Sequence, residues 1–190
     1  MIQTDRFIWL HLPRTGGTTT RAAMHGVKKS LPRSLRSRWI IDDDGVRAKH
    51  DNLAIRAARL GAMPQAERIA MNFRPLGEWL TSNWKWTQAN GLSLPIERYQ
   101  DGEFFSLRVG AWCRADWWLS YFEIERVTGF IRLDHLDEDL GGFLTSIDPR
   151  ISLPKVGQLN RLDPSPSIQT STAARAMNPK WSALENRLWP

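Results

Sequence analysis

The chain has a single cysteine, Cys113, among 190 residues, and its four histidines (His11, His25, His50, His135) show no paired ligand spacing. A disulfide framework and a cysteine-rich zinc site are excluded, and no metal is expected. Long apolar runs are missing too: nothing approaches the roughly 20 consecutive apolar residues of a membrane span. The opening MIQTDRFIWLHLPR places Asp5 and Arg6 ahead of a short apolar run. That does not fit a secretory leader, so the expected location is cytoplasmic. No internal repeat and no linker-like stretch divides the sequence.

What is present is enough apolar material, 42% of residues, for one sizeable core, and a single domain over residues 1–190 is expected. The net charge of +6 favours an anionic partner without separating nucleotide, nucleic acid and sulfated polymer. Ten tryptophans offer aromatic faces of the kind that stack on sugar rings, although Trp79 and Trp86 read more simply as core.

Along the chain, hydrophobic patterning alternates between strand and helix. Residues 7–12 read as a strand stopped by Pro13, followed by a glycine-threonine loop and a helix-permissive stretch at 21–24. Residues 28–38 read as a basic loop, 39–41 as a short strand, and Asp42, Asp43 and Asp44 as a solvated turn. A helix over 52–60 stops at Gly61, a buried strand covers 68–73, and Pro75 opens an aromatic-rich helix. Residues 99–118 give no clear period, with a helix possible in composition at 115–122. A strand at 127–133 and a helix at 136–144 make a further strand-helix unit, the tail 153–171 reads as an extended loop, and a short helix closes the chain at 181–188. Repeated strand-helix units predict an α/β fold with a central parallel sheet flanked by helices.

The chemistry concentrates in Pro13-Arg14-Thr15-Gly16-Gly17-Thr18-Thr19. Glycines let backbone N–H groups approach an anion, the hydroxyls donate, and the following helix adds its positive end. This is a cradle for phosphate or sulfate. The Walker signature needs a Gly-Lys pair, and the loop has no lysine, which disfavours a triphosphatase. A second arrangement, Arg74 leaving a strand with Ser82 eight residues on, suits another phosphate through the guanidinium fork.

The run Phe7-Ile-Trp-Leu-His-Leu-Pro-Arg-Thr-Gly-Gly-Thr-Thr resembles the 5′-phosphosulfate loop of carbohydrate-type sulfotransferases, which typically has Lys and Ser where Arg14 and Thr19 stand. Arg74 and Ser82 keep the spacing of that family's 3′-phosphate motif, with Pro75 one place early. Phe130-Ile-Arg-Leu-Asp-His-Leu-Asp-Glu-Asp-Leu is similar to its late strand and helix, Asp134 standing for a glutamate. The resemblance implies a P-loop-like sulfotransferase fold and 3′-phosphoadenosine 5′-phosphosulfate (PAPS) as sulfate donor. It also implies a hydroxyl acceptor, which a carbohydrate would supply, and no obligatory metal.

On that resemblance Arg14, Thr15, Gly16, Gly17, Thr18 and Thr19 hold the phosphosulfate, Arg74 and Ser82 the 3′-phosphate, and Lys155 and Asn160 lie in a loop covering the nucleotide. Arg14 stabilises the leaving group, its charge permanent and its donors forked. His50, preceding the helix that leads into the Arg74 strand, is the candidate base, with Asp51 either orienting its ring or capping that helix. His11 is expected to be packed.

Two other readings stay open. One is a P-loop kinase-type phosphotransferase, which needs Mg²⁺ ligands and usually the Walker lysine. The other is a non-catalytic module binding anions or nucleic acid through Lys28, Lys29, Arg33, Arg36 and Arg38. Nucleic acid is not the expected partner, and the acceptor and oligomeric state are open.

Overall fold

The computed structural model describes residues 1–36, 39–41, 48–151, 153 and 168–190. The first half runs β1 (Ile2–Thr4), β2 (Phe7–Leu10), α1 (Gly17–Ser30), α2 (Arg33–Arg36), β3 (Trp39–Ile41), α3 (Leu53–Leu60), β4 (Arg68–Phe73) and α4 (Leu76–Ala89). The second half runs α5 (Ile96–Gln100), β5 (Glu103–Ser106), β6 (Ala111–Arg114), α6 (Asp116–Tyr121), β7 (Gly129–Arg132), α7 (Leu136–Ile147), α8 (Thr172–Met177) and α9 (Pro179–Leu188). Two compact units emerge: Met1–Phe73 with Phe122–Arg161, and Arg74–Tyr121 with Leu162–Pro190.

The first unit is an α/β layer on a sheet of order β3-β1-β2-β4-β7. The sheet is mixed, where the strand-helix repetition predicts parallel strands throughout. β2, β4 and β7 are parallel to one another, but β1 runs antiparallel to both β2 and β3. The cause is local. Only Asp5 and Arg6 separate β1 from β2, and so short a connection can form only a hairpin, since a parallel return needs a crossover of a dozen residues or more. Thr4 closes that hairpin: its Oγ1 accepts from the N–H of Arg6 at 3.1 Å and of Phe7 at 2.9 Å. The strand β1 itself is too short and too near the start to show a period.

The core of this unit joins the sheet residues Ile2, Phe7, Trp9, Ala70 and Ile131 to one face of α1 and one of α7. Leu136, Leu140 and Leu144 recur every fourth residue, which is one face of a helix, and all three are buried. Each contributes roughly 1.5–3 kcal/mol by leaving water. α1 begins at Gly17, earlier than its sequence period shows, and runs through Lys28 and Lys29. Those lysines are therefore helical, in a last turn where the negative helix end favours cations, and not part of a basic loop.

In the second unit a β5–β6 hairpin and the helices α4 and α9 enclose aromatic residues. The ring centroids of Trp79 lie 4.8 Å from Trp181 and 5.0 Å from Phe104, and all three residues are fully buried or nearly so. Carboxylates join its segments. Asp116 accepts from the N–H of Lys180 at 2.9 Å and of Trp181 at 2.8 Å, satisfying the first turn of α9. Glu185 accepts from the N–H of Leu76 at 2.9 Å and from Arg175 at 2.8 Å. Trp181 Nε1 donates to the carbonyl of Arg74 at 3.2 Å, so α9 grips both sides of the turn into α4.

Candidate functional site

The glycine-threonine loop leaves the C-terminal end of β2 and turns directly into α1. Two residues of this loop have positive φ, Arg14 at 65° and Gly16 at 78°. Among the described residues only one other non-glycine, Glu123, shares this region. A left-handed arginine costs on the order of 1–2 kcal/mol, and such outliers gather where function requires a particular backbone path. Gly16 is required by its φ and again by packing, since a Cβ there would lie 2.2 Å from Cδ1 of Leu133. Gly17 is required by His11: its Cβ would lie 1.8 Å from the histidine Nε2.

Asn72 anchors the loop to the sheet. Fully buried in β4, it accepts from Trp9 Nε1 at 2.8 Å and donates to the carbonyl of Thr15 at 2.9 Å and to Thr20 Oγ1 at 2.6 Å. Thr15 is also fully buried, and its hydroxyl donates to the carbonyl of Leu12 at 2.7 Å. Its side chain thus shapes the loop. Thr19 is buried and Thr18 exposed. The first helical bond runs from Thr20 N–H to Gly16 carbonyl at 3.0 Å, which leaves the N–H groups of Gly17, Thr18 and Thr19 ahead of it. Among the described residues α1 has no capping side chain, its N-cap being Gly16, and its first turn holds no acidic residue.

The late strand-helix motif supports the same loop. Arg132 donates to both oxygens of Asp139, Nε to Oδ2 and Nη2 to Oδ1, each at 2.9 Å, and its backbone N–H adds 2.8 Å. Burial by itself would raise the Asp139 pKa, and the hydrogen bonds and charge of Arg132 outweigh it, so the carboxyl sits below its ordinary value. The pair fixes the turn that brings Leu133 onto Gly16. Asp134 is exposed.

His50 reaches this loop: its Nδ1 is 2.8 Å from the main-chain oxygen of His11, and the two imidazole centroids are 4.6 Å apart. His11 is 6% exposed, stacks on Trp9 at 5.1 Å, and has no hydrogen-bond partner for Nδ1. Burial holds its pKa well below the usual histidine value, and the charges of His50, the amino terminus, Lys49 and Arg21 act in the same direction. Asp51 takes neither role expected of it. Asn52 caps α3 through Ile55 N–H at 2.9 Å, and the Asp51 carboxylate lies 3.8 Å from Arg59.

Arg74 and Ser82 belong to the second unit, where both are buried. The Arg74 guanidinium pairs with Glu78 at 3.0 Å, and its Nε is enclosed without a partner. Lys155, Asn160, Arg38 and the Asp42–Asp44 run lie outside the described residues. Sequence reasoning brought out the loop, Arg14 and His50 and passed over Asn72, Trp9 and Leu133. The signal for Asn72 was a lone amide inside the otherwise apolar strand Ile69-Ala70-Met71-Asn72-Phe73.

Among the described residues no group of three or more His, Cys, Asp or Glu side chains is placed to hold a metal ion, and no helix is long and apolar enough to cross a membrane. The chain matches no protein-family model, no curated protein and no solved structure.

Proposed function

We propose that the loop from Pro13 to Thr19 binds the phosphosulfate end of 3′-phosphoadenosine 5′-phosphosulfate and that the protein transfers its sulfuryl group to a hydroxyl acceptor. One observation carries this reading: among the described residues no side chain caps the start of α1 and no acidic residue stands in its first turn, behind a loop in which Arg14 has positive φ. The other described helices of eight residues or more have their first turns answered from within the protein. Asn52 serves α3, Glu78 and Glu185 serve α4, Asp137 to Asp139 serve α7, and Asp116 serves α9. α1 has three leading N–H groups, an exposed threonine hydroxyl and the guanidinium of Arg14, which suits an anion arriving from outside.

In this account Arg14 and the α1 N–H groups hold the charge that grows on the phosphate as it leaves, and His50 takes the acceptor's proton. Arginine keeps its charge at every working pH, so the leaving group departs as the anion without protonation by this residue. The resemblance gives the 3′-phosphate to Arg74 and Ser82; Arg74 is bound to Glu78, so a phosphate there has to take the place of that carboxylate. A carbohydrate is the acceptor this reading favours, and the partly exposed Trp117, stacked on Tyr121 at 5.2 Å, is an aromatic face of the kind that sugar rings stack on.

The test is binding by variants. Arg14→Ala should weaken affinity for 3′-phosphoadenosine 5′-phosphate at least about tenfold, as expected for loss of a charge-assisted contact. Affinity unchanged in Arg14→Ala would remove the loop from the donor site.

A further inference from the structure

Of the four large apolar side chains that stand exposed among the described residues, two share one turn. Leu107 is 52% exposed and Val109 50%, at the tip of the β5–β6 hairpin, with the exposed Arg108 between them. Turns ordinarily carry Gly, Pro, Asn, Asp or Ser, each for a conformational or hydrogen-bonding reason. Here other residues meet those needs. The N–H groups of Val109 and Gly110 both donate to the Ser106 carbonyl, at 3.2 and 2.7 Å, and Gly110 takes the positive φ of 72°. Neither making the turn nor filling the core accounts for a leucine and a valine held out in water.

The surroundings of the tip are aromatic and basic. Arg108 lies over the Tyr121 ring, its guanidinium carbon 4.9 Å from the centroid, which joins the tip to α6. Behind it Phe105 and Trp112 face each other across the hairpin at 5.7 Å, both partly exposed, and Arg98 covers Trp112 at 4.5 Å. From Phe104 to Ala115 the chain carries Arg108 and Arg114 and no acidic residue. The acids that bound this stretch are engaged: Glu103, at the far end of the hairpin from the tip, by Arg98 at 2.6 Å, and Asp116 by the first turn of α9. An apolar tip, half-exposed aromatic rings behind it and cations without competing acids correspond to the acyl, interfacial and headgroup layers of a bilayer. Charge of one sign at this edge complements a uniformly anionic surface.

We propose that the β5–β6 hairpin docks the protein on an anionic phospholipid surface, with Leu107 and Val109 entering the acyl boundary, Phe105 and Trp112 at headgroup depth, and Arg108 and Arg114 facing the lipid phosphates. The inference rests on the hairpin alone and holds whether or not the Pro13–Thr19 loop binds the sulfate donor.

The experiment is co-sedimentation of the full chain with phosphatidylcholine vesicles, with and without phosphatidylserine, for the wild type, Leu107→Ser/Val109→Ser and Arg108→Gln. The wild type should pellet with the phosphatidylserine vesicles. Its partition coefficient should fall at least about tenfold in the double variant, which loses the inserting side chains, and about fivefold in Arg108→Gln, the effect of one cation near an anionic surface. All three positions are exposed, so thermal unfolding of the variants should match the wild type. If the double variant fails to fold, Arg108→Gln decides. A wild type that stays in the supernatant overturns the proposal, as does equal pelleting with and without phosphatidylserine, or equal pelleting of the double variant and the wild type. A wild type that ignores vesicles but self-associates on gel filtration, with the association lost in the double variant, also overturns it and makes the tip a protein contact.

Discussion

Acidifying the protein from pH 6.5 to 5.5 should destabilise it through His11, and the size of the loss can be worked out from where that ring sits. The imidazole is 6% exposed, with the charges of His50, Lys49, Arg21 and the amino terminus acting against a proton there. The folded protein thus holds His11 neutral at a pH where the unfolded chain, with a histidine pKa near 6.5, takes a proton. The unfolded state then binds more protons, so stability is fully present above about pH 6.5 and is lost as pH falls toward the folded value. One proton of difference is worth roughly 1 kcal/mol for each pH unit in that interval. The assay is urea unfolding at pH 7.5, 6.5 and 5.5 for the wild type and His11→Leu. The other three histidines are common to both proteins, so the comparison isolates His11. At pH 7.5 the variant should be close to wild type, because losing the stack on Trp9 is offset by removing the enclosed, unpartnered Nδ1. Below pH 6.5 the wild type should lose roughly 1 kcal/mol more than the variant per unit. Parallel curves for the two proteins would refute the assignment of a buried neutral His11.

Arg14→Gly should separate strain from binding: thermal stability should rise by about 0.5–1 kcal/mol, because glycine adopts φ 65° freely, while affinity for the bisphosphate nucleotide falls. Asn72→Leu should cost at least about 3 kcal/mol in urea unfolding, since Trp9 Nε1, the Thr15 carbonyl and Thr20 Oγ1 all lose a buried partner. Glu185→Ala should cost about 1–3 kcal/mol, read by thermal unfolding, by depriving Leu76 N–H and Arg175 of one carboxylate.

The strands β2, β4 and β7 and the helices after them were legible because each is an apolar run followed by a helix period, with Pro13, Gly61 and Pro75 as stops. β1 was not legible, since three residues are too few to show alternation, and with it went the antiparallel edge of the sheet. The β5–β6 hairpin was hidden by Glu103-Phe-Phe-Ser and Ala111-Trp-Cys-Arg, where aromatic residues crowd without a clean period of two. At the site, the loop's residue types are those on which the proposal of an anion cradle rests. They did not announce why Gly17 must be glycine, because the reason is a histidine six positions earlier in the chain, brought there by the turn. His50 was singled out by its place before α3, whereas the group its Nδ1 faces is a main-chain carbonyl, which no side-chain pattern reports. Asp51, expected either to orient the ring or to cap α3, lies 3.8 Å from Arg59, and the cap is its neighbour Asn52.

Donor binding is tested most directly by calorimetric titration of the full chain with 3′-phosphoadenosine 5′-phosphate, alongside ATP with and without Mg²⁺. Micromolar binding of the bisphosphate that needs no metal and exceeds that of ATP is the predicted result. Magnesium-dependent preference for ATP, or no binding of either nucleotide, would contradict it.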